Sequence, residues 1–334
     1  MIEKYKGNPI LRPDPKESWA RAAVFNPAVC LKDGTIHLFP RGIGEYDHYI
    51  SRIGHYVSRD GIKFQPLNQG PVLGPGREYD SWGCEDPRAT KIGDTYYFTY
   101  VAVSQPVKKG GGIPLATALA STKDFKKFKR HGVITPKLSN NKDVVLFPEK
   151  IDGAYAMLHR PSWWCKEWFT GSKKALKNKV AAQIPEGYKK YKELPDKPSI
   201  WIAFSKDLKN WTDHKVVMEP KEKWEEKKIG AGPPPIKTEA GWLIIYHGVS
   251  KNKWYRAGAA LLDLDDPAKV IARTRYPILE PEEDYERKGD VENVVFPTGS
   301  VVIGDELYLY YGAADKYVAL ATCPLQRLLD LLLT

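Results

Sequence analysis

Five hairpins constrain this chain more than any other feature of its sequence. Aromatic or aliphatic segments recur at TIHLFPRG (35–42), TYYFTYVA (95–102), AYAMLHRP (154–161), WLIIYHGV (242–249) and LYLYYGAAD (307–315). Each follows a turn containing glycine or aspartate: KDG (32–34), IGD (92–94), IDG (151–153), TEAG (238–241) and IGD (303–305). Glycine and aspartate supply the positive φ that short hairpins demand. Another short strand precedes each turn, beginning at NPAVCL (26–31), DPRATK (86–91), VVLFPEK (144–150), PPPIK (233–237) and FPTGSVV (296–302). A third strand follows each hairpin. In the first three copies it ends in a Ser- or Thr-containing turn at an aspartate and returns as a fourth, as in YVSRDGIKF (56–64) and IWIAFSKDLKNW (200–211).

Four antiparallel strands repeated five times over 334 residues predict an all-β chain, a five-bladed β-propeller forming one domain over residues 1–334. A double β-sandwich is the alternative, and the rungs of a β-helix would be shorter. The composition agrees, with 27 Gly and 26 Pro for turns and 19 Tyr and 10 Trp for strands. Residues 163–197 read as an insert in the third blade, partly helical around KKALKNKVAAQI. The tail PLQRLLDLLLT reads as a short amphipathic closing helix.

Charge and cysteine content exclude several classes. Nine lysines between 166 and 197 carry much of the formal charge of +10. With no recognised nucleic-acid module beside them, they read as a solvated insert face rather than a nucleic-acid surface. No run approaches the roughly 18 apolar residues of a membrane span, and the first residues lack a signal-peptide core. The four cysteines (30, 84, 165, 323) form no CxxC pair, so buried free thiols are expected, with no metal and a cytoplasmic location. The exposed insert also offers a surface for a homo-oligomer.

In a propeller the head of each blade's first strand reaches the channel mouth. That places Asn26, Glu85, Asp86, Lys142, Lys227, Lys228, Glu292 and Asn293 around one opening, with Arg41, Arg160, His247 and Asp315 ending the second strands. Glycosyl transfer to water normally needs two carboxyl groups. This rim offers one convincing acid site, at 85–86, and a second carboxylate further round at Asp315, among many cations. Cations lower a carboxyl pKa, so they make sense if an anion sits among them. Inorganic phosphate is dianionic, suits Arg and Lys, and is its own nucleophile. Read singly, Asp86 before a proline could be a strand-entry turn, Arg160 a structural ion pair and His247 a core histidine. Three prolines stop GAGPPP (230–235) from opening a phosphate-binding helix. Their convergence on one rim favours chemistry.

The motifs NPAV (26–29), FPRG (39–42), CEDPRAT (84–90), LFPEKIDGAYAMLHRP (146–161), KIGAGPPPI (228–236), IIYHGV (244–249), NVVFPTG (293–299) and YYGAAD (310–315) together resemble glycoside hydrolase family 130, the β-mannoside phosphorylases and related hydrolases. The resemblance implies inverting phosphorolysis of β-mannosides to α-mannose 1-phosphate, without a cofactor and with phosphate as co-substrate. It implies Asp86 as proton donor, acting through the mannose 3-hydroxyl. It implies phosphate ligands at Lys142, Arg160, Lys228, His247 and Tyr255, and mannose contacts at Asn26, Arg41, Asp86 and Asp315. The family's hydrolases lose the basic ligands, which this chain keeps. Adjacent strand residues face opposite ways, so Glu85 is expected to point away from the site.

Overall fold

A computed structural model describes residues 2–106, 115–136, 140–162, 165 and 194–334. The lysine-rich insert over 166–193, with its expected helix, lies outside these residues.

The chain is all-β, built from several antiparallel sheets. Every predicted hairpin is present, and each closes with a two-residue loop, as the terminal pairs Lys32–Thr35, Ile92–Thr95, Ile151–Ala154, Thr238–Gly241 and Ile303–Glu306 show. In the first, Asp33 and Gly34 both have positive φ (49° and 70°), as a type I′ turn matching strand twist requires. The third-strand turns are held by side chains. Asp60, Asp124 and Asp207 each accept two backbone N–H bonds, from Ile62 and Lys63, from Lys126 and Lys127, and from Lys209 and Asn210.

The hairpins extend into four-strand meanders. One runs Lys142–Leu146, Tyr155–Arg160, Ile200–Ser205, Thr212–Met218; another begins Gly83–Ile92, Thr95–Val103, Ala116–Thr122, Lys129–Val133. The strand Ala23–Lys32 heads a third, joined to the second by a single parallel bridge, Ser51–Gly83. In the last sheet, Val295–Ile303, Glu306–Ala313 and Tyr317–Pro324 gain their fourth strand from the other end of the chain: Glu3–Lys4 pairs with Thr322 and Ala321. The tail Leu325–Leu333 is helical, as expected, and buries Leu328, Leu329 and Leu332.

Apolar clusters lie between successive sheets. Phe39 meets Phe98; Leu119 lies with Met157; Leu158 with Tyr246; Leu243 with Leu309; and Leu38 with Tyr310. Three buried acids add a polar join of repeated design. Asp80, Glu225 and Glu286 sit in short helical turns and accept the N–H groups of their own turns. Each also accepts a tyrosine hydroxyl, from Tyr100 (2.9 Å), Tyr246 (3.1 Å) or Tyr311 (2.8 Å). Arg130, Arg273 and Lys4 balance their charges. A buried carboxylate is tolerated only when paired and hydrogen-bonded in this way.

Candidate active site

Ladder irregularities aim the polar residues. Register slips between Phe25 and Ala28, between Glu85 and Arg88, and between Lys142 and Val145. Within these bulges Asn26 (φ 45°), Asp86 (φ 45°) and Asp143 (φ 53°) adopt the left-handed conformation, which Asn and Asp tolerate better than most residues. A bulge re-aims a side chain that regular alternation would place elsewhere.

All nine sequence-predicted site residues line one cavity of about 210 Å³: Asn26, Arg41, Asp86, Lys142, Arg160, Lys228, His247, Tyr255 and Asp315. Glu85, Lys227, Glu292 and Asn293, also placed at the opening by the sequence, are not among its described lining residues. Asn140, Asp143, Ser162 and Phe296 are, although sequence reasoning did not single them out. Asp143 had a signal: it occupies in the third repeat the bulge position of Asn26 and Asp86.

At one side, Asp86 Oδ1 accepts from Asn26 Nδ2 at 2.8 Å and from Arg41 Nη1 at 3.0 Å. Glu85 corrects an expectation. It does not line the cavity, but it is turned towards the site's cations: it accepts from Arg41 Nη2 at 2.7 Å and lies 4.0 Å from Lys142 Nζ, because the bulge at 85–88 breaks the alternation. Arg41 is further fixed by Ser51 Oγ (2.9 Å) and by the Phe25 ring beneath its guanidinium. Asn26 Oδ1 is buried without a hydrogen-bond partner among the described residues. The chain opposite must be glycine, since a Cβ at Gly312 would stand 1.7 Å from that oxygen.

Arg88 is buried at the base. It donates to the Asp86 carbonyl (2.8 Å) and to the Gly232 and Ala231 carbonyls (3.3 Å each), and it reaches Asp143 Oδ1 at 3.4 Å. The GAGPPP segment thus contributes carbonyl oxygens here. On the other side, Asp143 Oδ2 accepts from Arg160 Nε at 2.6 Å and lies 3.7 Å from His247 Nε2. Both ring nitrogens of His247 are buried and lack a hydrogen-bond partner among the described residues. Its ring stacks with Tyr255, which also lies 5.3 Å beneath Lys228 Nζ.

Burial alone would push the Asp86 carboxyl up, but Arg41, Arg88, Lys142 and the Asn26 bond outweigh it and hold the group below the usual carboxylate range. Asp143 is likewise held well down against burial, chiefly by the charges of Arg160 and Arg88. Burial, joined by Arg160 and Lys228 and opposed by Asp143, drops His247 to about 3, so its imidazole is neutral at ordinary pH. Asp315 is only partly covered. Loss of water and the neighbouring Asp86, Asp290 and Glu85 charges nevertheless raise it to about 7 against the pull of Arg41. The four cysteines are buried thiols.

The cavity therefore pairs a hydrogen-bonded acid cluster with a cationic pocket, an arrangement suited to holding a polyol beside an oxyanion. Comparison with known proteins points the same way. The glycoside hydrolase family 130 model, described as β-1,4-mannooligosaccharide phosphorylase, matches residues 3–334. A 1,2-β-oligomannan phosphorylase of Thermoanaerobacter sp. (strain X514) is 41% identical over 326 residues, covering 96% of each chain. A β-1,2-mannobiose phosphorylase of the same organism is 39% identical over 334 residues, again covering 96% of each. The solved β-1,2-mannobiose phosphorylase from Listeria innocua, in complex with β-1,2-mannobiose, superposes with a TM-score of 0.79 at 33% identity and covers 99% of both chains. The chain belongs to glycoside hydrolase family 130.

Proposed function

We propose that this enzyme is an inverting phosphorylase that cleaves β-1,2-linked mannosides with inorganic phosphate, releasing α-mannose 1-phosphate and a sugar one mannose shorter. The observation that carries the phosphate half is His247. It is a neutral imidazole, buried with both nitrogens unsatisfied, beside Arg160 and Lys228 in the cavity that also holds Asp86. Unsatisfied buried polar atoms are costly, and a tetrahedral oxyanion supplies an acceptor for the imidazole N–H. The β-1,2 linkage is favoured by the relatives of about 40% identity.

In this reading Asn26, Arg41 and Asp315 hold the terminal mannose, and Lys142, Arg160, Lys228, His247 and Tyr255 hold phosphate. A phosphate oxygen attacks the anomeric carbon from the face opposite the leaving group. The bond to the leaving sugar breaks, and its oxygen takes the proton of the mannose 3-hydroxyl, which Asp86 replaces with its own. A bound dianion offsets part of the Arg41, Arg88 and Lys142 field that holds the Asp86 carboxyl down, so nucleophile binding also prepares the acid. No cofactor is required.

We read the architecture behind this site as a single five-bladed propeller over residues 1–334. Apolar clusters join the first meander to the second and so on round to the fifth, which packs on the first again. The terminal strand Glu3–Lys4 acts as the clasp.

The test is incubation with β-1,2- and β-1,4-mannobiose, with and without phosphate. Mannose 1-phosphate of α configuration, formed only with phosphate and faster from the β-1,2 sugar, is the expected result. Free mannose released equally without phosphate refutes the proposal.

A further inference from the structure

We infer that Asp143 makes the anion pocket selective for a tetrahedral dianion that carries a proton, so that hydrogen phosphate is accepted and sulfate is rejected. This rests on the phosphorolysis reading and extends it to a residue that reading leaves without a role.

A carboxylate inside an anion site needs an explanation. Asp143 is 2% exposed, lines the cavity, and is turned into it by its left-handed bulge. Arg160 Nε occupies one direction of Oδ2 at 2.6 Å, and Arg88 approaches Oδ1 at 3.4 Å. An ionised carboxylate only accepts hydrogen bonds. Sulfate is also acceptor-only, so the two would meet as like charges with no hydrogen between them, in a site with little water to screen them. Hydrogen phosphate brings one O–H, which can point at Asp143 while its remaining oxygens face Arg160, Lys228 and Lys142.

A second observation has the same sense. A neutral imidazole carries one N–H and one bare acceptor nitrogen, and both nitrogens of His247 are buried without partners. Asp143 and His247, 3.7 Å apart, therefore present more acceptor capacity than any fully deprotonated anion can fill. Gly230 keeps them this close to the strand behind, since a Cβ there would lie 2.2 Å from Asp143 Oδ2 and 2.5 Å from His247 Cε1. Sites built to hydrogen-bond a hydroxyl discriminate strongly against analogues lacking it.

The rival role is simpler: Asp143 only anchors the Arg160 guanidinium. The two roles separate on the ratio of affinities. Phosphate, sulfate and monofluorophosphate, the last a phosphate-shaped dianion without the hydroxyl, are titrated calorimetrically into the full-length enzyme and its Asp143→Asn variant at neutral pH. The wild type should bind phosphate at least about tenfold more tightly than either of the others. In Asp143→Asn the amide oxygen can still accept from Arg160 while its N–H₂ donates to the anion, so the ratio should fall towards one. Equal affinities in the wild type, or a variant that weakens all three anions by one factor, would overturn the inference. If the variant does not fold, monofluorophosphate decides alone: binding as tight as phosphate refutes the role of the proton. Phosphate-independent turnover in the wild type would instead overturn phosphorolysis, while the titrations would still report the discrimination.

Discussion

Asp86→Asn separates catalysis from architecture at one atom. The amide keeps an oxygen where Oδ1 accepts from Asn26 (2.8 Å) and Arg41 (3.0 Å). Arg41 also keeps Glu85 at 2.7 Å and Ser51 at 2.9 Å, so its charge is not stranded by the substitution. Stability should change by no more than about 1–2 kcal/mol, far less than when a buried charge loses its only partner. Turnover of β-1,2-mannobiose should fall by about 10²–10⁴-fold, equivalent to about 3–5 kcal/mol of transition-state stabilisation. Phosphorolysis and synthesis from α-mannose 1-phosphate should fall together, since the acid of one direction is the base of the other. The sharpest assay replaces the leaving sugar with 2,4-dinitrophenol, which departs without a proton. The variant should then phosphorolyse the aryl β-mannoside within about tenfold of the wild type. A loss of the same size on both substrates, with the melting temperature unchanged, would show that Asp86 binds mannose and does not deliver the proton.

Three other perturbations test separate parts of the structure. Lys228→Ala should raise the KM for phosphate by about 10–100-fold, the worth of a charge-assisted contact, while the mannoside KM and the melting temperature stay close to wild type. Asp315 has a folded pKa raised to about 7, so the folded state holds a proton that the unfolded state has released. Its contribution to stability therefore falls as pH rises from the ordinary carboxylate range to about 7, and is level above that. Asp315→Asn should flatten that part of the stability-against-pH curve, read by thermal melts from pH 4 to 9. Tyr246→Phe leaves the fully buried Glu225 one donor short and removes the acceptor of Arg273 Nε (3.1 Å). It should cost about 1–3 kcal/mol in denaturant unfolding and leave phosphate affinity unaltered.

Much of this was legible in the sequence because it depends on local chemistry. The Asp33–Gly34 turn, the aspartates that fold the third strand back in the first three copies and the alternation of strand faces are all decided within a few residues. What was not legible depends on partners far away in the chain. Glu3–Lys4 is too short to read as a strand until Ala321 and Thr322 are beside it. The join made by Glu225, Tyr246 and Arg273 unites residues whose sequence spacing carries no pattern. Glu85 was misread for a different reason: the period-two rule assumes an unbroken ladder, and the ladder breaks at that point.

That break links fold to site. Asn26, Asp86 and Asp143 hold equivalent bulge positions in three repeats, and each accepts a left-handed backbone that costs about 1–3 kcal/mol in isolation. Arg88 repays part of that cost at the second bulge by pinning the Asp86 carbonyl at 2.8 Å, and the same guanidinium reaches Asp143 in the third. A regular strand at these positions would send alternate side chains into the interfaces between sheets, where Phe98 and Leu146 belong. The bulge instead releases one polar side chain per repeat towards the cavity without disturbing the apolar ones on either side. Repetition supplies the geometry, and the residue at each bulge sets the chemistry: an amide at 26 donates to the carboxylate at 86, and the carboxylate at 143 accepts from Arg160. Restoring the ladder at any one bulge, by deleting a residue between 85 and 88 for example, would therefore remove the site's chemistry before it unfolded the sheet.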